Sequence, residues 1–224
     1  AICTSNVLEA MKFNNIRKIV FSSSGSVYGD SNIFPTPENA PISNQTSLYG
    51  ASKLYCEGLI HSYCEGFNFQ SWIFRFGSLL GPNYSHGHVF DFIKKLLKND
   101  KKINVLGDGN QKKTYLHVYD CVNAMLQAIN KSKKKINTFN LATNDYISVK
   151  ESLNIICDKM DAKPKRVFEG DKGKGGWIGD QPFVFLSIKK IKKLGWKNKF
   201  TIRKGVEDTI EWILKNKWVL KRRK

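Results

Sequence analysis

Along these 224 residues short apolar runs alternate with longer stretches in which apolar positions recur every three or four. Lys18-Ile-Val-Phe21 runs into Ser22-Ser23-Ser24-Gly25, the pattern of a buried strand emptying into a polar loop. Residues 30–47 carry three prolines and little period, so they read as a surface loop. The opening Ala1–Asn15 reads as a helix. A second helix is predicted from about Ser47 to Gly66, where Leu48, Leu54, Leu59, Ile60 and Tyr63 make one apolar face. Ser71–Phe76 is a second buried strand, closed by the turn Leu80-Gly-Pro-Asn83. A helix over 88–98, a strand at Ile103–Leu106 and the turn Gly107-Asp-Gly109 follow. Val118, Val122, Met125, Leu126 and Ile129 predict a helix over 117–131, with a strand at Thr138–Ala142 and an amphipathic helix at Val149–Met160 beyond it. The glycine- and charge-rich stretch 170–182 reads as a loop, and a last helix starts at the N-cap Thr201 and ends near Lys215. Strands alternating with helices predict an α/β fold on parallel strands.

Composition adds limits. Apolar residues make up 41% and aromatics 12%, which is globular and ample for a core at this length. No apolar run approaches the ~20 residues of a membrane span, and no basic segment feeds a long apolar stretch at the start. Five widely spaced cysteines without a CxxC pair read as reduced thiols of a cytoplasmic protein. His86 and His88 stand close but without further ligands, so no metal site is expected. The 37 basic against 19 acidic residues leave a net charge of +18. These are mostly lysines on expected outer faces and loops, without interleaved aromatics or arginine forks. A solvated surface is the reading, nucleic acid is not an expected partner, and an anionic small substrate is compatible with the charge.

The chemistry concentrates at Tyr49-Gly-Ala-Ser-Lys53. Four residues apart near a helix start, the phenol and the ammonium lie on one face. A tyrosine, with a reference pKa of about 10, is a poor base at neutral pH, and a nearby ammonium favours the phenolate. Ser24, at the end of the first strand, is a candidate to orient or relay the proton. The order of parts matters as much as the pair: strand, serine-rich loop ending Val27-Tyr28-Gly29, a loop of about twenty residues, the Tyr-x-x-x-Lys helix, then the second strand. With Arg75-Phe-Gly-Ser-Leu-Leu-Gly-Pro82, Gly107-Asp-Gly-Asn-Gln111, Tyr115-Leu-His-Val118, Phe139-Asn-Leu-Ala142 and Gly176-Trp-Ile-Gly-Asp180, this resembles the extended short-chain dehydrogenase/reductase family, especially its nucleotide-sugar epimerases of the UDP-glucose 4-epimerase type.

The resemblance implies a partial Rossmann-like parallel sheet (1–80, rejoined at 114–142) and a small α/β substrate-binding lobe (81–113 and 143–220), with a basic tail at 221–224. It implies NAD as cofactor, a UDP-sugar as substrate and a homodimer through the Tyr49 helix. Tyr49 would be base and acid, Lys53 would hold the nicotinamide ribose, and Ser24 would bind the sugar hydroxyl. Ser22, Arg75 and Phe76 would line the cofactor; Ser26, Ser78, His88, Val89, Lys113 and Asp180 would face the sugar nucleotide. Lys113 stands where many relatives carry arginine, Trp177 replaces a frequent arginine, and Ser78 a frequent asparagine. Related 4,6-dehydratases place an Asp-Glu pair after the serine, where this chain has Gly25 and Ser26. The implied reaction is therefore oxidation of the sugar at C4 and return of hydride to the opposite face. A reductase, another epimerase on the same scaffold, or a non-catalytic ligand- or nucleic-acid-binding relative are the competing readings.

The family's glycine-rich dinucleotide turn has no counterpart in the sequence, which implies a longer natural protein. Strands at 18–21 and 71–76 are then expected to lack sheet neighbours and to expose apolar surface, so that this chain alone is expected to be inactive, to bind NAD weakly and to behave poorly in solution.

Overall fold

The computed structural model describes residues 1–169 and 183–222. In chain order it begins with helix α1 (Ile2–Phe13), strand β1 (Lys18–Ser24), a 3-10 turn (Gly25–Tyr28), α2 (Leu48–Phe67), β2 (Gln70–Phe76) and β3 (Ser78–Leu80). Then come α3 (His88–Lys98), β4 (Lys102–Leu106), β5 (Lys112–Lys113), β6 (Tyr115–His117), α4 (Val118–Lys131) and β7 (Ile136–Leu141). The chain ends with β8 (Ile147–Ser148), α5 (Val149–Lys159), β9 (Lys165–Glu169), β10 (Phe183–Val184), α6 (Lys189–Lys193), α7 (Ile202–Lys215) and α8 (Val219–Arg222). The predicted helix over 88–98 is α3. Thr201 caps α7, its side chain accepting from the Lys204 N–H.

Two compact units divide the chain. The first comprises Ala1–Gly77, Val122–Ala142 and Phe185–Lys197. Its sheet is wholly parallel in the order β1-β2-β7, with Ser23 opposite Arg75 and Arg75 opposite Asn140. Trp72, Ile73 and Phe74 are buried along β2, as a strand covered on both faces requires. Leu8 of α1, Ile60, Tyr63 and Cys64 of α2, and Phe69 and Ile73 close the core on one side of the sheet. Each fully buried aliphatic there is worth roughly 1.5–3 kcal/mol of transfer free energy.

Two expectations change here. Gln70–Phe76 is not open: β2 is the central strand, paired on both sides, because residues 136–141 return to it from far along the chain. Among the described residues β1 and β7 are the edge strands of this sheet, each with one strand neighbour. Val20 on β1 is 44% exposed and Phe13, at the end of α1, 88%. The unit boundaries also differ from those expected. Residues 185–197 join the sheet unit, the Thr36 N–H donating to the Phe185 carbonyl and Gln127 and Lys131 to the Leu194 carbonyl, whereas 114–121 fall in the other unit.

The second unit comprises Ser78–Cys121, Thr143–Val184 and Asn198–Lys224. Short parallel pairs β3–β6 and β4–β9 and the small sheet β10-β5-β8 surround helices α3, α5 and α7. Val89, Phe90 and Ile93 meet Leu153 and Ile156 and Val206, Ile210 and Ile213 in its core. A capping box between Ser148 and Glu151 starts α5. The stretch 170–182, expected to be a loop, lies outside the described residues.

His117 sits inside this unit. Its ring stacks on Phe200 with centroids 4.1 Å apart, Nδ1 accepts the Tyr119 N–H, and Nε2 lies 3.3 Å from Asp208 Oδ2. Burial pushes the imidazole below its ordinary value, against the pull of Asp208 and Asp120. An imidazole kept neutral in the fold takes up its proton more readily once unfolded. Its contribution is therefore present above about pH 6.5, the unfolded value, and is lost as pH falls through the lower folded value. His117→Phe is expected to flatten the loss of stability seen by urea unfolding between about pH 7 and 5; an unchanged slope would assign that loss to other groups.

Candidate active site

The first unit gathers the residues singled out for proton transfer near the carboxyl end of β1, where open α/β sheets place ligands. β1 ends in three serines, each engaged differently. The Ser22 carbonyl accepts from Lys53 Nζ at 2.8 Å. The Ser23 hydroxyl donates to Glu57. Ser24 Oγ accepts the Ser26 N–H at 3.1 Å and lies 3.0 Å from Ser26 Oγ, which starts the 3-10 turn and holds two half-buried hydroxyls side by side.

α2 begins where Ser47 accepts the Gly50 N–H at 3.0 Å, so Tyr49 and Lys53 fall on its first turns. Tyr49 is 55% exposed. Lys53 Nζ lies 5.0 Å from the Phe21 ring centroid and 5.7 Å from that of Tyr49. Glycine is needed at position 50 for close approach: a Cβ there would stand 2.7 Å from the Ser26 carbonyl oxygen. The helix start and the serine turn are thus in backbone contact. Ser22, Ser24, Ser26, Tyr49 and Lys53, singled out from the sequence, come together on adjoining segments.

Arg75 is different. It was expected to line the cofactor, but it is 7% exposed and its guanidinium is spent within the unit. Nη2 and Nε reach the Glu57 carboxylate at 2.7 and 3.0 Å, Nη1 donates to the Glu38 carbonyl, and the group lies 4.7 Å from the Tyr28 ring centroid. Burial would lower its pKa, and Glu57 and Tyr28 together outweigh that and raise it. The side chain is the counter-ion of Glu57, and Phe76, the other strand-end residue expected to line the cofactor, is half-buried opposite Ser24.

Beyond Ser24 and Ser26, the expected substrate residues belong to the second unit. Ser78 opens β3 opposite Tyr115 and is half-buried. His88 uses both ring nitrogens on side chains, Nε2 at 2.8 Å from Ser152 Oγ and Nδ1 at 3.0 Å from the Tyr115 hydroxyl. Val89 is fully buried in the core, which leaves only its backbone for a ligand. Lys113 is half-buried on β5, opposite Ile147 and Val184. Asp180 and Trp177 lie outside the described residues.

Glu57 was not singled out from the sequence, though a signal was there. It follows Lys53 by four and Tyr49 by eight, and a carboxylate beside Cys56 and Ile60 interrupts an apolar face.

The donor set fits one end of a dinucleotide. An exposed phenol and an ammonium anchored on a strand-end carbonyl suit the hydroxyls of a ribose and the ring beside it. For the pyrophosphate end, the 224 residues hold no Gly-x-Gly-x-x-Gly turn. Among the described residues no three His, Cys, Asp or Glu side chains are grouped to hold a metal ion, and no helix is long and apolar enough to cross a membrane.

Comparison with known proteins gives one consistent neighbourhood. Residues 1–142 match the NAD dependent epimerase/dehydratase family. A Methanocaldococcus jannaschii protein to which UDP-glucose 4-epimerase activity is assigned by name is 34% identical over 218 residues, which are 95% of this chain and 68% of that protein. A crystal structure of UDP-galactose 4-epimerase superposes with a TM-score of 0.86 at 32% identity, over 96% of this chain and 69% of that one. The UDP-glucose 4-epimerase of Thermotoga maritima, solved with UDP-glucose, gives a TM-score of 0.81 at 25% identity, over 95% and 68%. The chain spans about two thirds of the length of these relatives.

Proposed function

This chain belongs to the NAD dependent epimerase/dehydratase family, and on that premise we propose that it carries the proton-transfer residues of a nucleotide-sugar 4-epimerase of the UDP-glucose/UDP-galactose type. The observation that supports this most is the joint placement of Ser24, Tyr49 and Lys53, with glycine and serine at the two positions after Ser24. The family's cofactor, when bound, would accept hydride from the sugar and give it back.

The protein's part is position and protons. Tyr49 takes the proton of the C4 hydroxyl and later returns it, so one group serves as base and acid. Lys53, fixed on the Ser22 carbonyl, supplies positive charge while the phenol oxygen carries the negative one. Ser24 orients the reacting hydroxyl, and Ser26 holds Ser24. Elimination of water would need a further acid and base, and neither Gly25 nor Ser26 can supply one; that favours epimerisation over dehydration. Lys113 would bring charge, without a bidentate fork, to the substrate's diphosphate. The homodimer expected through α2 is part of this proposal, and Tyr55 on α2 and Val7 on α1, 55% and 52% exposed, support it.

The test is to incubate the protein, expressed from its complete reading frame, with UDP-galactose and catalytic NAD. UDP-glucose is expected at equilibrium without net formation of NADH. Steady consumption of added NADH would favour the reductase reading, and no turnover of any UDP-hexose would overturn both.

A further inference from the structure

The Glu57–Arg75 pair lies in direct line with the proposed reaction. Tyr49, Lys53 and Glu57 stand at i, i+4 and i+8 of α2, spaced along one stripe at ~6 Å per step. Two of the three touch β1 at successive residues: Lys53 Nζ holds the Ser22 carbonyl, and the Glu57 carboxylate accepts from the Ser23 hydroxyl. Ser23 faces Arg75 in the parallel register, and Arg75 donates to the same carboxylate through Nε and Nη2. One carboxylate, 2% exposed, therefore spans two neighbouring strands and one helix. Arg75 extends the contact to the Glu38 carbonyl and the Tyr28 ring, and Tyr28 closes the turn that carries Ser24 and Ser26.

We propose that Glu57 and Arg75 are positioning residues for proton transfer, a buried clamp that sets where α2 lies against the end of β1. Fixed at Ser23, the helix presents Lys53 to the Ser22 carbonyl and Tyr49 to the serine turn. Further along α2 the polar contacts reach α1 and not β1: Cys56 Sγ donates to Thr4 Oγ1 at 3.3 Å and the Tyr63 hydroxyl donates to Glu9, while Ile60 packs in the apolar core without direction. Glu57 touches none of the reacting atoms; its effect passes through Lys53 and Tyr49. The inference rests on the proton-transfer role given to Tyr49.

The test uses the protein from its complete reading frame with Glu57→Gln, which keeps shape and removes the charge. Ser23→Ala, which removes one contact of the clamp and leaves the ion pair, is the milder companion. Leu8→Ala serves as control, because it opens a cavity in the same core without touching the clamp. In protein labelled with 13Cζ-tyrosine, the Tyr49 signal is assigned by its absence in Tyr49→Phe. Glu57→Gln is expected to move that signal and to lower kcat by between about 10- and 100-fold at near-constant KM. Ser23→Ala should do the same to a smaller extent, while Leu8→Ala lowers the melting temperature and leaves both readouts in place. If Tyr49's signal and kcat hold in folded Glu57→Gln or Ser23→Ala, or if Leu8→Ala moves them equally, the clamp is structural only and the inference falls. Should the unsubstituted protein turn over no nucleotide sugar, the functional reading fails, and the Tyr49 signal still decides whether the clamp positions that residue.

Discussion

Tyr49→Phe is expected to cut epimerisation by a factor of about 10²–10⁴, the usual contribution of a positioned general acid–base group. The substitution removes the atom proposed to exchange a proton with the substrate and leaves the ring. Tyr49 is more than half exposed, and the contacts that anchor α2, through Ser47, Lys53 and Glu57, do not use its hydroxyl. Stability should therefore stay within about 0.5 kcal/mol of the parent, as for surface substitutions away from special features. Activity is read as UDP-galactose to UDP-glucose conversion and stability as urea unfolding, both on the protein from its complete reading frame. A variant that keeps a third of the parent's kcat would remove Tyr49 from the chemistry. A variant that loses activity only because it unfolds would show the same loss in the melt.

The second large effect is on stability. Arg75→Met is expected to cost about 3–5 kcal/mol, because it leaves the Glu57 carboxylate buried with its positive partner gone. Glu57 would retain only the Ser23 hydroxyl of its present partners. The Glu38 carbonyl would lose its donor, and the Tyr28 ring its cation. Glu57→Leu together with Arg75→Met should recover most of the loss, since a buried ion pair replaced by apolar groups of similar volume is often neutral. Equilibrium urea unfolding of the two single variants and the double variant checks this. Additive single effects, with the double variant the least stable, would show that the pair is not coupled.

The two predictions separate what a residue does from what holds it. Tyr49 is exposed and is the residue proposed to react, whereas Arg75 is buried and expected to matter first for folding; both were read from the sequence as site residues. The difference was not legible there. A Tyr-x-x-x-Lys spacing on a helix fixes a shared face by the 3.6-residue period alone, so the relation of Tyr49 to Lys53 follows from local geometry. An arginine at a strand end can point to either face of the sheet, and its direction depends on which carboxylate waits there. Glu57, eighteen residues earlier on another element, decides it.

The same division runs through the molecule. Local pattern determined the elements: the apolar run before Ser22, the helix over 88–98, the N-cap at Thr201, and the turn that brings Ser24 next to Ser26. Each depends on neighbours within a few residues, which is the range over which period, capping and turn chemistry act. The family likeness likewise came from short motifs that follow one another in order along the chain. Tertiary structure alone decided that β2 is central, because its second neighbour is a strand sixty residues away, and that residues 185–197 return to the sheet unit through the Thr36 and Leu194 contacts. It decided too that Val89 is core and that His88 is bonded through both nitrogens to Ser152 and Tyr115. Such outcomes rest on hydrogen bonds and burial between residues far apart in sequence. No periodicity encodes them, because a polar side chain takes whichever partner the packed chain leaves within about 3 Å.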